Sequence, residues 1–480
     1  MEPGSDDSPP APSNREPTLV MALILPLLIP GAVRAAGNIV TTVDTGGYSG
    51  VYSSLKIAAD GRPVIAHFDR VYGHLKVSKC GDAACASGNS LATVDTAGYV
   101  GEYLSLSVPA DGLPVISYHN QRGYDLKAAK CGDPSCASAA VTVIDSSGTE
   151  EGKYTSVSVP PDGRPVIAYY ELVSVGIVGY TVNLKIAKCG NASCTAGNSI
   201  VIADTMGAFE TTEGYYSSLA VPADGLPVIS YFDDGKKTLK VLKCGNPACS
   251  EGNTRTIVDS SGRNGWYSSL VIAPDGFPVI SYVGFGGQIM VLKCGNAACS
   301  AGNSRSVTES GGQYTSIAIA ADGLPIISYF QSGLFVLKCG NASCSSGNTV
   351  TALDTVGDPG RRNSISIPPD GLPILSYGGY PEHKLKALKC SRPDCSEAVP
   401  ILEGPPRPEP VLRAAYSGGM LVLSLEAPGW VEVFDGSGRR MHGAGIAAPG
   451  RMEIPGLKAG IHYVRVKTSR GSILRPISVL

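Results

Sequence analysis

Residues Tyr52–Asp95 read YSSLKIAADGRPVIAHFDRVYGHLKVSKCGDAACASGNSLATVD. Four short runs rich in Val, Ile, Leu, Ser and Tyr (Tyr52–Ala58, Pro63–Phe68, Leu75–Cys80 and Asn89–Asp95) are separated by Gly, Asn, Asp and Pro. Runs of this length between turn residues predict β-strands. No stretch carries the sustained 3.6-residue periodicity of a helix. Asp60-Gly61 lies between the first two runs. A two-residue hairpin is expected there, because a primed turn needs the positive φ that Gly tolerates. Pro63 then opens the second strand, where a missing N–H costs little.

The unit recurs. The string DG-x-P returns at Asp111, Asp162, Asp224, Asp275, Asp322 and Asp370, giving seven copies 47 to 62 residues apart. Four antiparallel strands repeated at about 50 residues predict an all-β chain folded as a seven-bladed β-propeller. An eighth copy of the fourth strand, NIVTTVD (Asn38–Asp44), precedes the first full unit and is expected to close the ring by pairing into the seventh blade. AVPILE (Ala398–Glu403) is the competing candidate for that place.

The 14 cysteines share one spacing, C-x4-C: Cys80 with Cys85, Cys131 with Cys136, Cys189 with Cys194, Cys244 with Cys249, Cys294 with Cys299, Cys339 with Cys344 and Cys390 with Cys395. Each pair falls between the third and fourth strands, and the Gly and Asn between the cysteines suit a tight bend. One disulfide per blade is expected, as in exported proteins. Closing so short a loop is worth about 2 kcal/mol. Zinc is disfavoured, because successive pairs lie on different blades and no His occurs in these turns. With 59 Gly and 35 Pro in 480 residues, a helical protein is excluded, and a net charge of −2 leaves no electrostatic footprint for nucleic acid.

The termini differ from the repeat. Residues 1–36 combine an acidic, Pro- and Ser-rich start with an apolar run, Leu19–Ile29, that reads as a signal peptide. Residues 37–403 form the propeller and 404–410 a Pro-rich linker. Residues 411–480 alternate short strand patterns and are expected to form a small Ig-like β-sandwich. Within them VEVFDGSGRRM (Val431–Met441), LKAGIHYVRVKT (Leu457–Thr468) and a terminal PISVL resemble the C-terminal sorting domain of type IX secretion cargo. Asp435, Gly438, Arg439, Leu457, Gly460, Tyr463 and Arg465 carry the match. The resemblance implies passage across an outer membrane, with the secretion machinery as partner. The repeats themselves resemble secreted bacterial propellers and, more loosely, propeller lectins.

Comparing the seven copies locates a binding face. The turns between strands one and two, and between three and four, are constant. The other two connections vary from four to 14 and from four to 11 residues and must share the opposite rim. Function concentrates on loops held by a rigid scaffold, so this rim is the expected ligand face. Its candidates are Asp69, Tyr72, Asn120, Tyr124, Glu171, Tyr180, Asp233, Trp266, Gln331 and Tyr380. Aromatic faces beside carboxylates and amides suit an extracellular glycan or protein. Tyr52, Tyr103, Tyr154, Tyr216, Tyr267 and Tyr314, with Asn363 in the seventh copy, begin the innermost strand and pack blade to blade or ring the channel. Lys79 and its six counterparts before each first Cys read as structural ion pairs or a solvated face. No H-E-x-x-H, G-x-S-x-G, Walker or calcium-loop string occurs, so no cofactor, metal or catalytic residue is expected. His74 and His383, on equivalent loops of blades one and seven, are one pattern that would suit a metal. Asp69, Glu171 and Asp233 are the acids that would suit a glycosidase pair. The expected function is a secreted or cell-surface monomer that binds carbohydrate or protein, with an adhesion protein or a glycan-acting hydrolase as the alternatives.

Overall fold

The computed structural model describes residues 37–396, except 149, 175–179, 208–215, 358 and 380–381. Of the C-terminal segment it describes 412–417, 420–425, 429–435, 439–446, 450–455, 457, 460–468 and 471–479. The signal-peptide run, Ala398–Glu403 and the Pro-rich linker therefore lie outside the described residues.

Seven four-stranded antiparallel sheets form the blades of a propeller. Blade one is Ser49–Ile57, Pro63–Asp69, His74–Lys79 and Ser90–Asp95, and the others follow in chain order. Second strands such as Val115–Asn120 and Val228–Asp233 are buried throughout, because neighbouring blades cover both faces. Fourth strands such as Ser90–Asp95 form the largely exposed outer edge.

Blade seven takes its outer strand from the N-terminus: Ile39–Asp44 pairs antiparallel with Lys384–Lys389. The closure reproduces the internal blades bond for bond. In blade one, Asn89 accepts from the Gly81 N–H and donates to the Cys85 carbonyl. In blade seven, Asn38 accepts from the Ser391 N–H and donates to the Cys395 carbonyl, 353 and 357 residues away.

The constant rim has a different turn from the one expected. Gly61 N–H donates to Ala58 O and Ala58 N–H to Arg62 O. The loop is therefore three residues, Ala59-Asp60-Gly61, with Gly61 at φ 76° as the bulge after a type I turn. The Asp carboxylate accepts the N–H two residues on and binds the Lys before the first Cys. Asp60–Lys79 (2.7 Å), Asp162–Lys188 (2.8 Å) and Asp370–Lys389 (2.7 Å) are examples, and all seven blades have the pair. The seven lysines are thus structural.

Every C-x4-C pair is a disulfide. Cys80 bonds to Cys85, Cys131 to Cys136, Cys189 to Cys194, Cys244 to Cys249, Cys294 to Cys299, Cys339 to Cys344 and Cys390 to Cys395, with Cα atoms 4.7–5.0 Å apart. The pairing fits an oxidising environment. The bend itself differs from the expectation that the intervening Gly and Asn would make it. The second cysteine of each pair takes the left-handed conformation: Cys85, Cys136, Cys194, Cys249, Cys299, Cys344 and Cys395 all hold φ between 51 and 56°. Each donates its N–H to the carbonyl three residues back, as Cys136 does to Asp133 and Cys194 to Asn191. In the first six blades the Asp or Asn at that earlier position accepts further N–H groups through its side chain; blade seven has Arg392 there. Asn246 receives those of Ala248 and Ser250 beside Cys249, and Asn296 and Asn341 do the same beside Cys299 and Cys344.

Blades are joined by two hydrogen-bonded devices. A Ser two residues after each ring position (Ser54, Ser105, Ser156, Ser218, Ser269, Ser316 and Ser364) accepts a backbone N–H of the next blade at 2.9–3.2 Å. Nearer the variable rim, the acid ending one blade's outer strand accepts the Tyr hydroxyl of the next. The pairs are Tyr118–Asp95 (2.8 Å), Tyr169–Asp145 (2.5 Å), Tyr231–Asp204 (2.7 Å), Tyr282–Asp259 (2.8 Å) and Tyr377–Asp354 (2.9 Å). Blade one substitutes His67, 3.0 Å from Asp44. At blade six the device fails, and the Tyr329 hydroxyl is buried without a partner.

In the C-terminal segment, Leu412–Ser417, Met420–Leu425 and Gly450–Pro455 form one antiparallel sheet. Gly429–Phe434, Arg440–Ile446, Gly460–Thr468 and Gly471–Val479 form a second. Leu421, Leu423, Val431, Val433, Ile454, Leu457 and Val464 make one buried cluster drawn from both sheets and the Leu457 connection.

Candidate functional site

The inner strands line a central channel, and its mouth on the variable rim is the candidate site. Each inner strand starts with Gly-x-Tyr or its equivalent. Gly50, Gly101, Gly152, Gly265 and Gly360 hold φ between 81 and 123°, where L side chains are disfavoured. They also press onto the preceding blade: a Cβ on Gly152 would meet Leu126 Cα at 2.8 Å. The strand register shifts here. Tyr103, Tyr154, Tyr267, Tyr314 and Arg362 are forced to φ 51–54°, an uncommon conformation for bulky residues. The bulge turns them into the channel.

Six tyrosines and one arginine form a closed ring. Successive tyrosine centroids from Tyr52 to Tyr314 are 4.3–4.9 Å apart. The Arg362 Cζ atom completes the circle, 3.8 Å from the Tyr52 centroid and 5.9 Å from that of Tyr314. Burial pushes the Tyr52 and Tyr154 hydroxyls well above the ordinary tyrosine range. The seventh ring member is therefore Arg362 and not Asn363. Asn363 sits one position later, where its amide donates to the Tyr314 carbonyl at 2.9 Å. Thr155, Ser217, Ser268 and Thr315 make the same bond to the preceding ring residue. With the serine layer, the ring bounds a chamber of about 220 Å³. Lys56 also lines this chamber.

The residue before each ring member differs in every blade: Val51, Glu102, Lys153, Tyr215, Trp266, Gln313 and Arg361. Val51 and Arg361 of this set line a pocket of about 330 Å³ between blades seven and one. Its walls are Tyr48, Arg70, Arg361, Arg362 and His383, with Ser49, Gly50, Val51, Tyr314, Gly378 and Gly379. The pocket exists because blade seven ends its second strand in Gly378-Gly379. Five other blades place Phe68-Asp69, His119-Asn120, Tyr170-Glu171, Phe232-Asp233 or Phe330-Gln331 there. Blade five has Val283-Gly284, with Met290, Asn264 and Gln288 crowded against the glycine. The Tyr48 and His383 rings stack at 3.7 Å, with the Arg70 Cζ atom 5.6 Å from the Tyr48 centroid. Glu102 interacts with Arg362 and Arg70, but burial still holds its carboxyl above the ordinary glutamate range.

The candidates read from the sequence lie elsewhere on the rim. Asp69 and Asp233 are buried and bind Lys76 and Lys240 of their own blades, both at 2.6 Å. Glu171 binds Asn183 at 2.6 Å and Lys185 at 3.2 Å. Asn120 donates to Asp125 at 3.0 Å, and Gln331 to the Ser310 carbonyl at 2.8 Å. These five side chains pin loops. Tyr72 and Tyr124 are well exposed on blades one and two, and Tyr180 opens the third strand of blade three. Trp266 packs edge-on to Phe232 beneath Arg263. Tyr380 lies outside the described residues. None of the nine described candidates lines the mouth pocket. The signal for that pocket was the Gly378-Gly379 pair, a gap at a repeat position that is mostly bulky.

Among the described residues, the three acids that would suit a glycosidase pair stay apart. Asp69, Glu171 and Asp233 stand on blades one, three and four, each neutralised by a lysine. Glu151 and Glu171 do share Lys185 with Asp145. Burial, with Asp145 and Glu171 beside it, pushes Glu151 up to about 8 against the pull of Lys185. The cluster is sealed: Glu151 is inaccessible, and Gly148 passes so close that a Cβ there would be 2.4 Å from both glutamates. His74 packs against Tyr72 and His383 against Tyr48. Among the described residues no group of three His, Cys, Asp or Glu could hold a metal ion.

A second concavity on blade five, a shallow groove of about 560 Å³, is lined by Arg263, Asn264, Phe285, Gln288, Arg305 and Val307 among others. Phe285 and Val307 are 67% and 65% exposed.

No protein-family model matches this chain, and no curated protein does. Several solved structures are similar at low identity. A protein of unknown function from Dyadobacter fermentans is 12% identical with a TM-score of 0.43, covering 74% of this chain and 98% of its own. An alpha-L-arabinanase from Penicillium chrysogenum is 12% identical with a TM-score of 0.43, covering 76% and 99%. A puromycin hydrolase is 11% identical with a TM-score of 0.46, covering 80% and 60%. At these scores the likenesses carry no argument about the site.

Proposed function

We infer that the chain is an exported, disulfide-braced binding propeller that takes a carbohydrate at the channel mouth on its variable rim. The observation that carries this reading is the pocket left by Gly378-Gly379, where a stacked Tyr48–His383 pair lies among arginines and backbone edges. A concave site with a flat aromatic face and a few polar groups is the usual form of a small-ligand pocket. Export is supported by the seven disulfides, by the Leu19–Ile29 run and by the likeness of residues 431–480 to a type IX sorting domain. A glycan array probed with the full chain and with Tyr48→Ala tests the binding reading. Wild-type binding lost in the variant is expected, and an array with no signal rejects the reading.

Protein binding is the second reading, and the exposed Phe285 and Val307 in the blade-five groove favour it. It predicts a peptide-display binder whose affinity is lost in Phe285→Ser and kept in Tyr48→Ala.

A further inference from the structure

We propose that the pocket between blades seven and one binds the carboxylate of an acidic saccharide; this rests on the carbohydrate reading above. Three guanidinium groups reach the pocket from two places. Arg70 follows the second strand of blade one, while Arg361 and Arg362 begin the inner strand of blade seven. Neither Arg70 nor Arg362 has a carboxylate in salt-bridge range among the described residues. Every Lys on the third strand of blades one to four has one instead. The Nε atom of Arg362 is buried with no acceptor. A buried guanidinium donor left unpaired at the wall of a pocket calls for a partner.

The position is specific to this junction. Six blades place Tyr at the ring, and the seventh places Arg362 at the one junction where the second strand ends in two glycines. Glu102 interacts with both Arg362 and Arg70, and burial raises its pKa. A planar guanidinium matches a carboxylate through two parallel N–H···O bonds. The stacked Tyr48 and His383 rings line the same pocket and supply aromatic carbon against which a sugar ring can pack.

The test is a glycan array carrying neutral, carboxylated and sulfated oligosaccharides, probed with the full chain. Isothermal titration of the tightest carboxylated glycan and of its methyl ester follows. Binding confined to carboxylated glycans is expected, with at least a tenfold loss on esterification and a further loss as salt rises. Arg70→Gln and Arg361→Gln should each weaken binding at least tenfold at unchanged melting temperature. Arg122→Gln, on the exposed rim of blade two, should not. Neutral glycans bound as tightly, or both pocket variants binding normally, overturn the proposal and leave the carbohydrate reading standing. A preference for sulfated glycans overturns the choice of carboxylate. If no glycan of any charge binds, both readings fall.

Discussion

Single residues in this fold play roles that their repeat position predicts, and exceptions are informative. Tyr169 donates to Asp145 at 2.5 Å across a blade junction, whereas its counterpart Tyr329 has a buried hydroxyl with no partner. Tyr169→Phe should therefore cost about 1–3 kcal/mol, because it leaves Asp145 short of a donor. Tyr329→Phe should be neutral or slightly stabilising. Parallel thermal melts decide between equal and unequal effects. Glu151 gives a pH signature. Its ordinary value is 4.5 and its folded value about 8. Between those values the folded protein holds a proton that the unfolded chain has released. Its contribution is fully present below 4.5 and is lost as pH rises through about 8, by up to ~1.4 kcal/mol per pH unit. Asp145, held at about 2 against burial by Lys185, acts oppositely: its contribution is present above 3.8 and lost as pH falls through about 2. The melting temperature should therefore drop from pH 6 to pH 9, and Glu151→Gln should flatten that drop. Equal slopes for the two proteins would refute the assignment.

At the scale of elements, the strand Ile39–Asp44 closes a ring whose other strands arrive in order. Removing residues 37–44 leaves the Lys384–Lys389 edge unpaired and deprives His67 and Lys76 of Asp44. An open, regular edge invites pairing with another chain. The truncated protein should melt several degrees lower and shift to dimers or larger species by size-exclusion chromatography. An unchanged monomer would mean that another segment replaces the strand. Closure was legible beforehand, because NIVTTVD repeats the pattern of the internal outer strands. Blade count and disulfide pairing were legible for the same reason: each is stated seven times. Other readings needed coordinates. Asp-Gly alone does not separate a two-residue turn from a three-residue turn with a Gly bulge, since both place Gly at positive φ. In the cysteine turns the left-handed residue is the second Cys, a type that rarely signals such a conformation, whereas the neighbouring Gly and Asn are types that commonly do. Spacing, not residue type, marks Arg362 rather than Asn363 as the seventh ring member. Six ring tyrosines lie eight residues before the DG aspartate, and Arg362 lies eight before Asp370. The rim candidates failed to converge for a related reason. Acids such as Asp69 and Asp233 end strands two positions beyond the residue opposite a lysine (His67 faces Lys76 and Tyr231 faces Lys240), and diagonal pairing across strands consumes them.

At the scale of the whole molecule, stability is spread over seven nearly equivalent junctions, and no single one dominates. Each disulfide closes a loop of a few residues, worth about 2 kcal/mol by loop entropy. Seven together amount to about 14 kcal/mol, comparable with the entire net stability of a typical domain. Single and collective losses should therefore behave very differently. A double variant, Cys131→Ser with Cys136→Ser, should keep its fold and melt only a few degrees below the wild type, because the Asp111–Lys130 pair, the Ser105 bond and the blade core remain. The fully reduced chain should fail to regain the native fold. The cysteines are buried, so reduction must be carried out in guanidinium and followed by dilution with reductant present or absent. Native circular dichroism and tyrosine fluorescence should return only in the oxidising arm. Recovery in both arms would show that the hydrogen-bonded junctions suffice, and that the cysteine turns contribute chiefly to resistance once the ring has closed.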